Sequence, residues 1–199
     1  SYPAARCVRI LNPLSADLNV MRQTLLFNTM EAVQLNANRR NGNLRLYEFG
    51  NCYFYDEAAR DAEKPLSAYS EQYRLAIAVT GAAVPQSWNA KPQASSFFTL
   101  RAVAEKLLRR FGLDIYALKC EPLQSDLFGD GISLSAGNGR ELLQMGVVAP
   151  RIRRAFDLKQ EVYYLEMNFD ALVKSTRKHR IAFEELSKFP EVKRDLALL

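Results

Sequence analysis

Two charged side chains near the amino end, Arg22 and Glu48, are of types that an active site could use: an arginine, followed by a segment that carries a glutamate. Arg22 lies in an apolar stretch, and Glu48 lies in Leu44–Tyr55, a segment in which apolar and polar residues alternate. Placed cations are a requirement of phosphoryl and adenylyl transfer. The same two residues can equally hold the fold together or line an interface, so the rest of the sequence must decide between these interpretations.

The remaining sequence lacks the other parts of a catalytic site. The only histidine, His179, lies in the basic run Lys174–Arg180, a poor setting for a catalytic imidazole, which needs a dry pocket and an orienting partner. Gly137-Asn138-Gly139 has the composition of a hairpin turn, and no GxxxxGK[ST] motif occurs. Paired acids such as Glu184-Glu185 lie in charged stretches typical of solvated surface. We therefore predict no catalytic, cofactor-binding or metal-binding residue in this chain.

Composition and charge are those of an ordinary globular protein. The 199 residues are 48% hydrophobic and 25% charged, with a net charge of +5 and a pI near 9.1. There is no uncharged apolar run of about 18 residues, so we predict no membrane span and a cytoplasmic location. Cys7, Cys52 and Cys120 have no CxxC spacing and are expected to be free thiols. Because the chain starts at Ser1 without a methionine, we expect it to be part of a longer protein.

Four groups of basic residues leave RNA binding open as an alternative function. They are Arg39-Arg40, Arg109-Arg110, Arg151 with Arg153 and Arg154, and Lys174–Arg180. Such groups contact phosphates in nucleic-acid-binding proteins, but cations are also common on any protein surface and at helix ends. Solvated surface charge is the default interpretation of each group.

Hydrophobic periodicity predicts the helices. Apolar residues recur every three to four positions between Leu25 and Asn38, at Leu26, Met30, Val33 and Ala37. A second helix is predicted at Phe97–Phe111, with Ser95 or Ser96 as its cap and Gly112 just past its end. A short third helix is predicted after Pro150.

The predicted strands are short and separated by turn residues. They are Val8–Leu14, Leu44–Tyr55, Tyr73–Thr80, Ile115–Cys120, Gly131–Ser135, Leu142–Val148 and Val162–Asn168. Segments 56–72 and 81–95 are predicted to be irregular connections, and Gly129-Asp130-Gly131 is predicted to be a turn. The order of elements predicts an α+β fold, in which a mostly antiparallel sheet is flanked by helices.

Five motifs in a fixed order resemble one protein family. They are NPLSADLNVMRQTLL at Asn12–Leu26, LYEFGN at Leu46–Asn51, SFFTLRAVAE at Ser96–Glu105, the segments from Met145 to Leu172 that include Phe156-Asp157-Leu158, and KFPEVKRDLAL at Lys188–Leu198. In this order they resemble the beta chain of bacterial phenylalanyl-tRNA synthetase, in its class II synthetase-like core. The last motif resembles the first strand of the ferredoxin-like anticodon-binding domain that follows.

The resemblance implies a function for the whole enzyme and a silent role for this part of it. Two alpha and two beta chains form a heterotetramer that uses ATP and Mg²⁺ to charge tRNA(Phe) with phenylalanine, and the active sites lie in the alpha chains. A class II site needs an arginine-acid strand and a glycine-rich strand that enters a helix with a second arginine. Glu48 and Gly50 resemble the returning strand of the first element, but its partnering arginine-acid strand is not recognisable, and the stretch near Gly146–Arg154 is too poor in glycine to be the second.

The resemblance also implies a division of the chain and a role for particular residues. Residues 1–173 are expected to form the class II-like core, residues 174–187 a basic linker, and residues 188–199 the start of the anticodon-binding domain. The core is expected to assemble with the alpha chain, and no membrane contact is expected. The candidate structural or interface residues are Arg22, Leu26, Met30, Val33 and Glu48.

Overall fold

A computed structural model describes residues 2–15, 18–176, 189, 192 and 194–196 of the chain. His179 and most of the predicted linker and final motif therefore lie outside the described residues. The described helices are α1 (Leu26–Asn38), α2 (Phe97–Arg110), α3 (Pro150–Ala155) and α4 (Phe169–Thr176). The strands are β1 (Leu44–Tyr55), β2 (Tyr69–Thr80), β3 (Ala82–Val84), β4 (Gln93–Ala94), β5 (Lys119–Pro122), β6 (Phe128–Ser135), β7 (Glu141–Val148) and β8 (Val162–Asn168).

A six-stranded sheet organises the fold. Its strand order is β1-β2-β8-β7-β6-β5, and every neighbouring pair is antiparallel. β3 and β4 form a separate two-stranded sheet. The predicted α+β class, with an antiparallel sheet flanked by helices, is confirmed.

Each face of the large sheet is covered by its own helices, because side chains alternate between the faces along a strand. On the face that we call the front, Leu26, Met30 and Val33 of α1 and Ile152 of α3 are buried in one apolar cluster. On the opposite face, the back, α2 and α4 are buried in a second cluster together with strand residues such as Leu165.

The ends of α2 show how local sequence sets an element. Ser96 and Thr99 form a reciprocal capping box, in which each side chain accepts a hydrogen bond from the other's backbone N–H. Gly112, just after the helix, has φ of 73°, a conformation that glycine adopts without strain. The predicted cap and stop of this helix are therefore confirmed.

The centre of the sheet depends on two facing glycines. Gly131 on β6 is paired with Gly146 on β7. A Cβ atom on Gly146 would overlap the backbone oxygen of Asp130 and approach the Gly131 Cα to 2.7 Å. Residues Gly129-Asp130-Gly131 therefore lie within β6, where a bulge shifts the register, and their prediction as a turn is wrong.

Several predicted boundaries also need correction. Residues 8–14 form no strand, only an isolated bridge from Arg9 to Val20, because Pro13 and the adjoining turn leave too few residues for a ladder. β2 begins at Tyr69, inside the predicted loop, since the long β1 offers a pairing partner along its whole length. Residues 115–117 form a 3-10 turn that Asp114 caps, so the strand there begins only at Lys119. α4 was not predicted.

Segment 81–95 is not wholly irregular as predicted, because its two ends pair with each other as β3 and β4. The short helix after Pro150 is confirmed. β1 and β8 have the predicted bounds, and the turn at residues 136–140 joins β6 to β7 as a hairpin, with Gly139 at φ of 76°. Within the described part of the chain, no helix is both long and apolar enough to cross a membrane.

Candidate functional site

A short strap, residues 21–25, crosses the front face of the sheet and joins two Arg–Glu pairs. At its start, Arg22 adds to the edge of β1: its backbone oxygen accepts from Tyr53 N–H at 2.9 Å, and its Nε donates to the Asn51 oxygen at 3.0 Å. Arg22 Nη1 also lies 2.7 Å from Glu48 Oε1. The structure thus brings the two predicted residues together in what we call the outer pair.

The other end of the strap meets a buried carboxylate in the middle of the sheet. Glu166 Oε2 accepts hydrogen bonds from Thr24 Oγ1 at 2.5 Å, from Tyr164 OH at 2.6 Å and from Leu25 N–H at 3.2 Å. Its other oxygen, Oε1, pairs with Arg74 Nη1. Both carboxylate oxygens are therefore satisfied by the chain itself, as a buried charge requires.

Arg74, the cation of this inner pair, is held on several sides. Its Nη2 and Nε donate to Gln72 Oε1 at 2.8 and 3.3 Å, and its guanidinium lies 5.2 Å from the centre of the Phe54 ring. The side chain of Arg74 is 19% exposed and that of Glu166 is 8% exposed. The inner pair is thus much more deeply buried than the outer pair, whose side chains are 31% and 34% exposed.

The buried charge of Glu166 perturbs the groups around it. Burial, followed by the negative charge of Glu166, raises the pKa of Tyr164 well above its usual value and also raises that of Tyr2. The same two causes raise the pKa of the Cys52 thiol to about 12. Burial disfavours the charged form of Arg74, but the charge of Glu166 outweighs this effect, and the pKa of Arg74 is raised. All four groups hold their protons at neutral pH.

A cavity of about 460 Å³ opens on the front face above this network. Its charged lining residues are Arg74, Glu141 and Glu166, so its lining has one cation against two acids. Glu141 accepts hydrogen bonds from Ser133 and Gln144. A triphosphate requires uncommitted cations, and the single cation here is already bound to Glu166. The lining therefore does not fit ATP, and no group of residues suited to hold a metal ion occurs among the described residues.

The strand-to-helix element that a class II-like site would use is also visible. β8 runs directly into α4 at Phe169, in the middle of the large sheet. Residues 162–176 contain no glycine and no arginine. The strand-to-helix geometry thus occurs at this junction and not near Gly146–Arg154, and the junction has neither the glycine nor the arginine that the element needs.

The apolar residues predicted as structural or interface positions all lie in the core beneath α1. Leu26, Met30 and Val33 have no exposed surface and pack in the front-face cluster. They therefore hold the fold and are not available to a partner. The exposed apolar residues of α1 are instead Phe27 and Leu35.

Sequence reasoning missed the inner pair and its hydrogen-bond partners. Glu166 is the only acid in the otherwise apolar and aromatic strand β8, and Arg74 is a lone cation between aromatic and apolar residues of β2. A single charged residue within an apolar strand could have indicated the pair, since a charge on a central strand must be paired or exposed.

Comparisons with known proteins agree with this architecture. A sequence profile described as "Phenylalanyl tRNA synthetase beta chain CLM domain" matches residues 1–169. Over its full length the chain is 46% identical to the phenylalanine–tRNA ligase beta subunit of Bacteroides thetaiotaomicron and 38% identical to that of Porphyromonas gingivalis. It spans 24% of the length of each of these relatives.

The fold is shared with more distant proteins. A pyrrolysyl-tRNA synthetase from Desulfitobacterium hafniense superposes with a TM-score of 0.60 over 85% of this chain and 53% of the other, at 15% sequence identity. At this identity the likeness concerns the fold, which is that of a class II synthetase.

Proposed function

The chain belongs to the phenylalanyl-tRNA synthetase beta chain family, and on this premise we propose that it is a non-catalytic core of a phenylalanine–tRNA ligase. In this proposal, the whole enzyme charges tRNA(Phe) with phenylalanine in a reaction that uses ATP and Mg²⁺. The chain supports this reaction by assembling with the alpha subunit in an alpha2beta2 heterotetramer.

One observation carries the non-catalytic part of the proposal. Among the described residues, Arg74 is the only cation that lines the front-face cavity, and it is paired with Glu166 and bound to Gln72. Adenylyl transfer needs cations that are free to meet the phosphates as charge develops. In this chain the charge of Arg74 is engaged by Glu166, so in this proposal another subunit supplies the chemistry.

Exposed apolar residues near the amino end support the assembly role. Residues 8–15 and 18–20 form a hook, closed by backbone hydrogen bonds from Met21 N to Val8 O and from Ile10 N to Asn19 O. The exposed apolar side chains of this hook are Ile10, Leu11, Leu14, Leu18 and Val20. Contiguous exposed apolar surface is typical of protein–protein interfaces. We propose that the hook, with Phe27 and Leu35 of α1, contacts the alpha subunit.

Phenylalanine-dependent ATP–pyrophosphate exchange tests whether the beta subunit has catalytic activity of its own. We expect exchange when the complete alpha and beta subunits are combined and none with the beta subunit alone. Exchange by the beta subunit alone would contradict a non-catalytic role.

Association with the alpha subunit tests the hook. The double variant Leu11→Ser/Leu14→Ser removes two side chains that are 92% and 99% exposed, so it should weaken co-elution with the alpha subunit without unfolding the chain. Leu66→Ser, at a 78% exposed leucine elsewhere, is the matched control. Equal association of all three proteins would place the interface on another surface.

The chain division is part of the same proposal. We propose that residues 1–173, together with the end of α4 up to Thr176, form the class II-like core, that the linker occupies the rest of residues 174–187, and that residues 188–199 begin the anticodon-binding domain. The profile match over residues 1–169 supports the first boundary. Limited proteolysis of the complete beta subunit should cut first within residues 174–187.

A further inference from the structure

Two basic segments that are far apart in sequence meet at one end of the large sheet. Leu44, the first residue of β1, and Val162, the first residue of β8, are both in register with Thr80, the last residue of β2. Only β2 separates β1 from β8, so their first residues lie about 10 Å apart, which is twice the spacing of neighbouring strands. The segments that lead into these strands, 39–43 and 156–161, therefore lie side by side.

A direct contact joins the two segments. Gln160 Nε2 donates a hydrogen bond to the Gly42 oxygen at 3.0 Å, and Arg153 Nη1 donates to the Gln160 oxygen at 3.2 Å. α1 and α3 both pack on the front face and both end at this edge, immediately before these segments. The basic residues at the two helix ends are thereby brought to one surface.

The cations of this surface have no partner among the described residues, unlike Arg109 and Arg151. Arg39, Arg40, Arg154 and Lys159 are exposed, and they form no side-chain hydrogen bond or ion pair with the described residues. By contrast, Arg109 pairs with Glu105 at 2.7 Å, and Arg151 pairs with Asp126 at 2.5 Å. We call the four uncommitted residues, Arg39, Arg40, Arg154 and Lys159, the basic edge.

The surroundings of the basic edge favour a polyanion over an apolar protein surface. Asp157 is the only acid in the segments 36–43 and 149–160, which contain six cations, four of them in the basic edge. The nearby Glu161 side chain is engaged by the Tyr163 hydroxyl. None of the exposed large apolar residues of the described chain lies in these two segments. Protein interfaces have apolar centres, whereas nucleic-acid interfaces are polar and strongly positive.

We propose that the basic edge binds the phosphate backbone of tRNA. This inference rests on the proposed function, because a tRNA ligase supplies the RNA partner. Arginine suits the role, since its planar guanidinium donates two parallel hydrogen bonds to phosphate oxygens. The helix C-termini favour cations at these positions but leave their outward N–H groups free. Contacts of this kind add affinity and position the RNA without reading its sequence.

Salt-dependent binding of tRNA(Phe) to the complete alpha–beta enzyme tests the proposal. The triple variant Arg39→Gln/Arg40→Gln/Arg154→Gln should bind tRNA more weakly. The slope of its plot of log affinity against log salt concentration should be smaller in magnitude by about 2 to 3, because each lost phosphate contact removes ~0.9 from that slope. When the salt concentration is raised from about 50 to about 200 mM, the affinity of the unmodified enzyme should therefore fall by a factor about 40 times larger than that of the variant.

A matched variant distinguishes direct contact between the basic edge and tRNA from an effect of the net charge of the protein. Arg101→Gln/Arg109→Gln/Arg110→Gln removes the same charge from α2 on the back face, and its salt dependence should stay close to that of the unmodified enzyme. The Arg→Lys form of the first variant keeps the charges and should retain most of the slope. A first variant with the same slope as the control, or one that only dissociates the subunits, would overturn the proposal. Phenylalanine-dependent exchange should be unchanged in the first variant, whereas its absence from the unmodified enzyme would instead refute the proposed function.

Discussion

The two Arg–Glu pairs at the ends of the strap differ in burial and in the number of groups that they organise. The outer pair, Arg22 with Glu48, is about one-third exposed and fixes the strap to the edge of β1. The inner pair, Arg74 with Glu166, is largely buried in the middle of the sheet and also binds Thr24 and Tyr164. The same residue types therefore make a surface tie in one place and a polar core in the other.

This difference in burial predicts different energetic roles for the two pairs. A buried ion pair stabilises little in net terms, because desolvation offsets attraction, but removing one partner is costly. An exposed pair contributes little either way. We therefore expect the loss of one partner of the inner pair to cost much more stability than the loss of one partner of the outer pair.

Breaking the inner pair should have the largest effect. Glu166→Gln leaves Arg74 without its counter-charge and weakens the hydrogen bonds from Thr24 and Tyr164. We expect a loss of about 3–5 kcal/mol in the free energy of unfolding. Urea denaturation of the variant and the unmodified chain measures the difference.

The same change in the outer pair is the control. Glu48→Gln should lower the free energy of unfolding by only about 0.5 kcal/mol, since water screens and replaces the lost interaction. Equal losses for the two glutamates would show that burial does not distinguish the pairs.

Gly50→Ala should have an intermediate effect by displacing Arg22. A Cβ atom at residue 50 would overlap the Arg22 guanidinium and approach Leu25 Cδ2 to 3.1 Å. The guanidinium must then leave Glu48 and the Asn51 oxygen, at a cost of about 1–2 kcal/mol in unfolding free energy. Thermal or urea unfolding checks this value.

Gly137→Ala is the matched control for that substitution. No atom lies within 4 Å of a Cβ at Gly137, and its φ is not among the positive values, so the change should be close to neutral. If Gly50→Ala were equally neutral, the close packing of Arg22 on β1 would not constrain the fold.

Cys52 lies between the two pairs and reports on both. Its pKa of about 12, against an ordinary value of 9.0, has burial as its first cause and the charge of Glu166 as its second. Because the unfolded chain releases this proton first, its contribution to stability is intact below about pH 9 and is lost as pH rises towards about 12. Cys52 should therefore resist iodoacetamide at pH 9 while the exposed Cys120 reacts, as peptide mapping by mass spectrometry can measure.

The two pairs also sharpen this thiol prediction. Glu166→Gln should speed alkylation of Cys52 more than Glu48→Gln, because Glu166 raises the thiol pKa more than Glu48 does. A greater effect of Glu48→Gln would mean that the outer pair has the stronger electrostatic influence on the Cys52 thiol.

Local pattern was sufficient to predict the bounds of β1 and β8. The alternation of Leu44–Tyr55 and the apolar run Val162–Asn168 are complete within their own segments, so both strands have the predicted bounds. The start of β2 depends on pairing with the far end of β1, and the 3-10 turn at residues 115–117 depends on a cap by Asp114. Those features depend on partners or on turn chemistry that the pattern of apolar residues does not reveal.

The site was only half predictable for the same reason. Arg22 and Glu48 stood out in recognisable motifs, and their pairing follows from the strap lying beside β1. Arg74 and Glu166 are 92 positions apart, and only the strand order β2-β8 makes them neighbours. Sequence periodicity does not determine strand order, so the inner pair required the structure.

Titration of ATP with Mg²⁺ into the isolated chain tests the central claim most directly, since that claim is that the front-face cavity is structural and not a nucleotide site. Calorimetry should detect no saturable binding at millimolar ATP, because Arg74 is committed to Glu166 and the lining carries more acids than cations. Saturable binding that is lost in an Arg74→Met variant that still folds would contradict the account.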